Sequence, residues 1–341
     1  MALCPNCGHP SEGRFCTQCG HALNKTSSRL SLPAGTVLRT PSFRYRLERV
    51  LGQGGFGVTY AAQVLELKQQ VAIKEYLPIR FSLRNPDKSV SPKPGMEREY
   101  ESGVESFSHE AQMLASLRGF ASVVRVHDWF RSNGTAYLVM EFLEGVPLHQ
   151  KAAQMGGRIP AGELLPRCKP LMQNLAAIHR QGVLHRDITP DNIMWMPDGR
   201  LKLLDFGSAR TMNGSKSMTV LLKQGFAPVE QYLTHGQGTF TDVYALCATL
   251  YYCLTGVSPV DPIERLENDT LAAPIGLGVA LTPEENAAIL HGMAIQPKLR
   301  TQTVDDLIAE LFPAAPPPPP APPRASFLRW LDRLLQGFGK H

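Results

Sequence analysis

The sequence predicts an α+β protein in which a small strand-rich lobe precedes a larger helical one, with a cleft between them. Two observations carry this prediction. Residues 42–143 hold short strand-like runs punctuated by glycine and proline, with one amphipathic helix among them. Residues 144–312 are dominated by helix-period patterns. A third observation sets the limits of this core: the flanking segments differ in composition. Residues 1–24 are rich in Cys, Gly and His. Residues 25–41 read as a Ser-, Thr- and Pro-rich linker with a short strand at its end. A proline-rich spacer over 313–324 is too stiff to pack a core, and a basic amphipathic helix follows over 325–341.

Within the core, residues 45–50 and 58–64 read as two strands around a glycine turn, and 71–74 as a third. A helix over 106–117 follows, with Phe107, Ala111, Leu114 and Ala115 on one face at spacings of three and four. The Pro-rich stretch EYLPIRFSLRNPDKSVSPKPG between them reads as an inserted loop. Residues 136–142 are strand-like, 171–179 form a helix followed by a loop, and the apolar run 243–256 reads as a buried helix.

Of the 341 residues, 43% are hydrophobic and 19% charged, as expected of a soluble globular protein. A formal net charge of +5, spread along the chain, makes no case for nucleic acid. The opening MALCPNCGHP lacks the basic start and apolar run of a secretory signal. No apolar stretch reaches the roughly 18–20 residues that span a bilayer. Seven cysteines without such a signal imply a reducing, cytoplasmic setting, in which clustered Cys binds metal more often than it forms disulfides.

The first cysteines fit that setting. CPNCG and CTQCG place Cys4, Cys7, Cys16 and Cys19 as two CxxC pairs eight residues apart, enough for a tetrahedral structural zinc site. A redox dithiol is the alternative reading. With four thiolates closing the site, His9 and His21 are bystanders. The stretch resembles the small zinc-ribbon modules found at the ends of many bacterial proteins, a resemblance that implies metal and no reaction.

The chemistry lies further on. LGQGGFGV at 51–58 sets Gly52, Gly54 and Gly57 in a GxGxxGxV frame. The same frame opens dinucleotide-binding folds, but here strand-like residues lie on both sides and no helix follows. VAIK ends in Lys74, either a solvated strand end or the cation for the α- and β-phosphates of a nucleotide. Such a lysine needs a carboxylate, and Glu110 on the 106–117 helix is preferred to Glu105 because Leu114 lies one turn beyond it. In HRDITPDN, Asp187 is placed to accept or orient a proton, and Asn192 offers a neutral oxygen suited to Mg²⁺. LLDFG adds Asp205 as a second metal ligand and Phe206 as an apolar plug. Phosphoryl transfer calls for this set: charge to neutralise phosphates, a base and positioning.

The order of these motifs resembles that of a eukaryotic-like serine/threonine protein kinase of the type bacteria also use, over residues 42–312. The resemblance implies a two-lobed protein kinase fold, ATP and Mg²⁺ as cosubstrate and metal, and Ser or Thr of protein substrates as acceptor. It implies a gatekeeper at Met140 and a hinge whose backbone at Glu141 and Leu143 binds adenine, with Val58, Ala72 and Met194 as further nucleotide contacts. It implies structural roles for Glu230 paired with Arg300, and for Asp242 behind the catalytic loop. Arg186 would receive a phosphorylated activation-segment residue, with Ser217 and Thr219 the preferred autophosphorylation candidates.

In two places the chain departs from this pattern. Thr189 stands where such kinases carry a lysine that touches the γ-phosphate. Lys223, seven residues before Glu230, stands where they carry a threonine. The two residue types are exchanged. Either Lys223 reaches back to supply the missing charge beside Thr189 and Asp187, or it is a solvated loop residue. In the second case the chain could be a scaffold with a kinase fold that binds nucleotide and partners without transfer. A small-molecule kinase is disfavoured by the Glu230 and Arg300 pair. The terminal SFLRWLDRLLQGFG aligns Phe327, Leu331, Leu334 and Phe338 on one helical face beside Arg329, Arg333 and Lys340. It suits the chain's own helical lobe, a protein partner or an anionic membrane surface.

Overall fold

The computed structural model describes residues 2–3, 10–11, 30–205, 210–211, 223–233 and 236–313. The chain divides into two units, Met1–Leu311 and Phe312–His341, and both lobes belong to the first. Several expectations lie outside the described residues: Cys4, Cys7, Cys16 and Cys19, Phe206, Ser217 and Thr219, and the helix over 325–341.

In chain order the elements begin with β1 (Ala2–Leu3) and β2 (Pro10–Ser11), which pair with each other. The first lobe continues with β3 (Val37–Arg39), β4 (Arg44–Gly54), β5 (Gly57–Val64) and β6 (Gln69–Tyr76). It is completed by β7 (Ser82–Arg84), β8 (Val90–Pro92), α1 (Glu97–Ser116), β9 (Val126–Ser132) and β10 (Thr135–Glu141). Six of these strands form one antiparallel sheet in the order β3-β4-β5-β6-β10-β9. Strand alternation sends consecutive side chains to opposite faces. Lys74 therefore faces α1, and Glu75 points the other way into a layer of aromatic rings. There Tyr45 stacks on Phe130 and Phe130 on Tyr137, at 5.7 and 5.3 Å.

Glu75 is fully buried and fully satisfied. It accepts from the hydroxyls of Tyr60 and Tyr137 at 2.8 and 2.7 Å, and from both terminal nitrogens of Arg84 at 2.9 and 2.5 Å. Arg84 sits on β7 and also donates to Leu30 O at 2.9 Å, while Leu32 N–H donates to Tyr60 Oη at 2.9 Å. One buried carboxylate thereby ties the insertion and the segment before β3 to the sheet. This revises two expectations. The linker assigned to 25–41 gives up its second half to the lobe, because Leu32 and Leu38 are buried in it. The inserted loop contains the β7-β8 hairpin, and α1 begins at Glu97, ahead of the expected start at 106. Acidic Glu97 and Glu99 suit its first turn, and Tyr100 and Val104 extend the buried stripe toward the N-terminus.

The second lobe holds β11 (Val146–Pro147), α2 (Leu148–Gln154), α3 (Ala161–Arg180), β12 (Val183–Leu184), β13 (Ile193–Trp195), β14 (Leu201–Leu203) and β15 (Arg210–Thr211). It ends with α4 (Val229–Tyr232), α5 (Thr239–Thr255), α6 (Pro262–Glu267), α7 (Pro283–Gly292) and α8 (Val304–Leu311). The run expected to be a buried helix is α5, buried almost all round and closed by Gly256 at φ +76°. α3 starts ten residues before the expected 171. Pro166 and Pro170 lie inside it, remove two amide donors and interrupt the local pattern. Among the described residues, no helix is long and apolar enough to cross a membrane.

Candidate active site

The glycine frame forms the β4-β5 hairpin, with Gly52 opposite Thr59 and Gly54 opposite Gly57. Its three glycines are not equivalent. A Cβ on Gly57 would fall 2.1 Å from the Glu75 carbonyl oxygen, so packing against β6 requires glycine there. A Cβ on Gly52 or Gly54 would meet nothing within 4 Å, which leaves backbone open to a ligand. Gly57→Ala is therefore expected to lower the thermal midpoint by several degrees, as a strained backbone contact costing about 1–3 kcal/mol would. Gly54→Ala should leave the midpoint unchanged and raise the KM for ATP. A differential scan and an ATP titration of the two variants check both.

Lys74 leaves β6 toward Asp205, with which it pairs directly, and its ammonium lies 3.6 Å from Glu110 Oε1. Glu105, the competing choice, is exposed. Burial pulls the Lys74 pKa down, but the charges of Asp205 and Glu110 outweigh it and leave it raised. Burial pushes the Glu110 carboxyl up to about 7 against the pull of Lys74. Val58 and Ala72 are buried in the sheet, and Met194 is half-buried on β13. At the hinge, the Glu141 side chain accepts from Lys202 Nζ at 2.5 Å and from Arg125 N–H at 2.8 Å, and Leu143 follows in the loop before β11.

The catalytic loop lies between β12 and β13. Asn192 donates through Nδ2 to the Asp187 carboxylate at 2.7 Å and to its carbonyl at 2.9 Å. Leu204 N–H, next to Asp205, donates to Asn192 O at 2.8 Å and ties the loop to the segment that follows β14. Burial pushes Asp187 up to about 7. Lys223 is the leading charge that opposes this, and Asp205 adds to the rise.

From below, Asp242 on α5 accepts from the backbone N–H of His185 and Arg186 at 2.8 and 2.7 Å, and lies 2.8 Å from His179 Nε2. It holds Arg186 at φ +68°, a conformation that side chains other than glycine rarely adopt. Glu230 and Arg300 form a buried bidentate pair at 2.6 and 3.3 Å. Between these anchors, Lys223 sits at a turn in which its carbonyl accepts from Phe226 and Ala227 N–H, both at 3.1 Å. Gly225 in that turn has φ +80°, and a Cβ there would lie 2.4 Å from Pro259 O. The Lys223 ammonium donates to Thr189 Oγ1 at 3.1 Å and pairs with Asp191. The exchanged residues therefore meet. Lys223 stands beside Thr189, its charge acts on Asp187, and its ion pair is with Asp191, a residue the sequence reading did not name.

A family model described as a protein kinase domain matches residues 45–312. The chain belongs to the protein kinase family. The kinase domain is 30% identical over 284 residues to a probable serine/threonine-protein kinase of Streptomyces coelicolor, covering 79% of this chain and 39% of that one. To serine/threonine-protein kinase pkn2 of Myxococcus xanthus it is 32% identical over 69% of this chain and 27% of the relative. To serine/threonine-protein kinase PknA of Mycobacterium tuberculosis it is 33% identical, over 64% and 48%. The chain thus spans between about a quarter and a half of the length of these curated relatives. Among solved structures, one described as the PpkA-294 apo form is similar at a TM-score of 0.71 and 32% identity, covering 83% of this chain and 99% of that one.

The kinase motifs brought together here were legible in sequence. Asp191, His149, Lys202 and the Glu75–Arg84 pair were missed. For Asp191 a signal existed: an acid beside Asn192 on the same loop as Thr189 is a natural counterion for a displaced lysine. His149 left no such signal.

Proposed function

We propose that the chain is an active serine/threonine protein kinase that transfers the γ-phosphoryl group of ATP to Ser or Thr of protein substrates and to itself. The observation that carries this reading is the convergence of Lys74, Glu110, Asp187, Asn192 and Asp205 in one cleft. In this role the Asp187 carboxylate orients the acceptor hydroxyl and takes its proton as the oxygen attacks the γ-phosphorus and ADP departs. Lys74 holds the α- and β-phosphates, and Glu110 holds Lys74. The open backbone at Gly52 and Gly54 covers the phosphates, with Gly57 keeping that hairpin on β6. Glu141 and Leu143 bind adenine through their backbone, with Val58, Ala72 and Met194 around it.

The donor set fits magnesium. The Asn192 amide nitrogen is committed to Asp187, so the group it has left is an oxygen, and with the Asp205 carboxylate this is a hard-oxygen pair. Bound there, the metal would neutralise phosphate charge. Lys223 takes the role of the lysine absent at Thr189. Zinc suits the four thiolates of Cys4, Cys7, Cys16 and Cys19, and the β1-β2 pair brackets the first CxxC in sequence. We further assign the chain to the cytoplasm, with the terminal helix taking a protein partner or a membrane surface.

The first test is incubation with Mg²⁺ and γ-labelled ATP beside Asp187→Ala. Label on Ser or Thr that disappears in the variant is the expected result. ATP binding without label would favour the scaffold reading, which rests on Thr189.

A further inference from the structure

A side chain that the kinase motifs leave without a role meets the exchanged lysine, and a second such side chain meets the first. Asp191, between Pro190 and Asn192, pairs through Oδ2 with the Lys223 ammonium. Its Oδ1 lies 2.6 Å from Nδ1 of His149, at the start of α2. His149 is itself buried, and its backbone N–H donates to Pro190 O at 3.3 Å. Three separate parts of the lobe therefore converge on one carboxylate: α2, the catalytic loop and the activation segment.

The reason such a carboxylate is needed lies in the exchange. A lysine at position 189 would stand on the short loop that also carries Asp187, with its backbone fixed by that loop. Lys223 arrives from 34 residues away, on a segment anchored beyond it at Glu230. Its four-carbon stem has many rotamers, and a point charge without a fork geometry does not orient itself. Thr189 offers one acceptor and no charge. Asp191 supplies the charge that selects one rotamer. A carboxylate with one oxygen unbound can still turn about its own bond, and His149 prevents this by occupying Oδ1. The 2.6 Å contact is not aligned as a hydrogen bond, and the ring nitrogen limits the carboxylate by its close approach to Oδ1. Among the described residues, Asp187 is a second carboxylate on which the ammonium acts.

We infer that Asp191 and His149 are positioning residues for phosphoryl transfer: Asp191 holds the Lys223 ammonium beside Thr189 and Asp187, and His149 holds Asp191. The catalytic half of this inference rests on the kinase reading above. The holding half does not, and is measurable without nucleotide.

The experiment has two arms. In the first, the full-length chain without ATP or metal is treated with a limiting amine-acylating reagent, and modification of each lysine is followed by peptide mass spectrometry. Lys223 should react several-fold faster in Asp191→Asn and His149→Phe than in the wild type, while lysines remote from the site keep their rates. His149→Asn, whose amide nitrogen replaces Nδ1, should keep Lys223 protected. In the second arm, Asp191→Asn should lower kcat at least about tenfold with the KM for ATP unchanged, the pattern of a group acting on the transition state. In a Lys223→Ala background the same substitution should have no further effect, because two residues acting through one ammonium are not additive. Unchanged Lys223 reactivity in Asp191→Asn would overturn the inference, and so would kinetic effects that multiply in the double variant. If the wild type transfers no phosphate, the kinase reading fails and the catalytic half of the inference with it. The acylation rates in that case still separate a held lysine from a free one.

Discussion

Lys223→Ala is expected to lower the rate of phosphoryl transfer by about 10²–10³-fold, the scale of losing one preorganised charge aimed at the transition state, and to leave the affinity for ATP nearly intact. The split follows from where the ammonium sits. It touches Thr189 and Asp191 on the catalytic loop, whereas the lysine proposed to hold the nucleotide is Lys74, paired with Asp205 and Glu110. Losing Lys223 therefore removes charge beside Asp187 without disturbing the nucleotide cradle. Returning the pair to the usual arrangement, Thr189→Lys with Lys223→Thr, is expected to restore most of the lost rate. Thr189→Lys alone should not, since Thr189 is buried and a second ammonium would meet the first. Initial rates at saturating ATP, with nucleotide affinity measured by calorimetry, decide the matter. Near-normal turnover of Lys223→Ala would return this residue to the role of a solvated loop lysine.

Arg300→Leu is expected to remove about 3–5 kcal/mol of stability, a fall in Tm of roughly 10 °C for a domain of this size. All five guanidinium donors are used. Two bonds go to Glu230 at 2.6 and 3.3 Å, and three go to the carbonyls of Ala294, Phe240 and Ile295 at 2.9, 3.0 and 3.1 Å. The group also lies 4.9 Å from the ring centroid of Tyr244 and 5.9 Å from that of Phe240. Its removal strands a carboxylate that is 3% exposed, with Thr241 Oγ1 at 3.1 Å as the remaining donor among the described residues. Arg300→Lys should rescue little, because an ammonium cannot reproduce the planar fork. Glu230→Met combined with Arg300→Leu should be milder than Arg300→Leu alone, because no buried charge is then left unpaired. Urea unfolding of the three variants checks the order. A loss below about 1 kcal/mol for Arg300→Leu would mean that water or a rearranged side chain replaces the guanidinium.

How much of this was legible beforehand depended on the range of the interaction that places each residue. The glycine hairpin, the VAIK strand and the amphipathic stripe of α1 were readable because periodicity and turn chemistry act over a few residues. Glu110 could be preferred to Glu105 for the same reason: it lies on the stripe that α1 buries. The start of α1 was missed because Pro-rich sequence upstream looked like loop, although the stripe already ran through Tyr100 and Val104. The first half of α3 was missed because two prolines interrupt a helix that tertiary packing keeps intact.

The sequence by itself determined the two-lobed α+β class, the residue types for phosphoryl transfer, and the exchange of Thr189 with Lys223. Each is a matter of order and spacing along one chain. Only the tertiary structure decided that the exchanged pair meets, and that Asp191 receives the ion pair of Lys223. It alone showed that His149 lies against Asp191, and that Glu75 binds Arg84 at the back of the sheet. Charge acts through space and carries no mark of direction in the sequence. Which of several nearby carboxylates a lysine reaches depends on how α2, the catalytic loop and the turn at Gly225 pack around it.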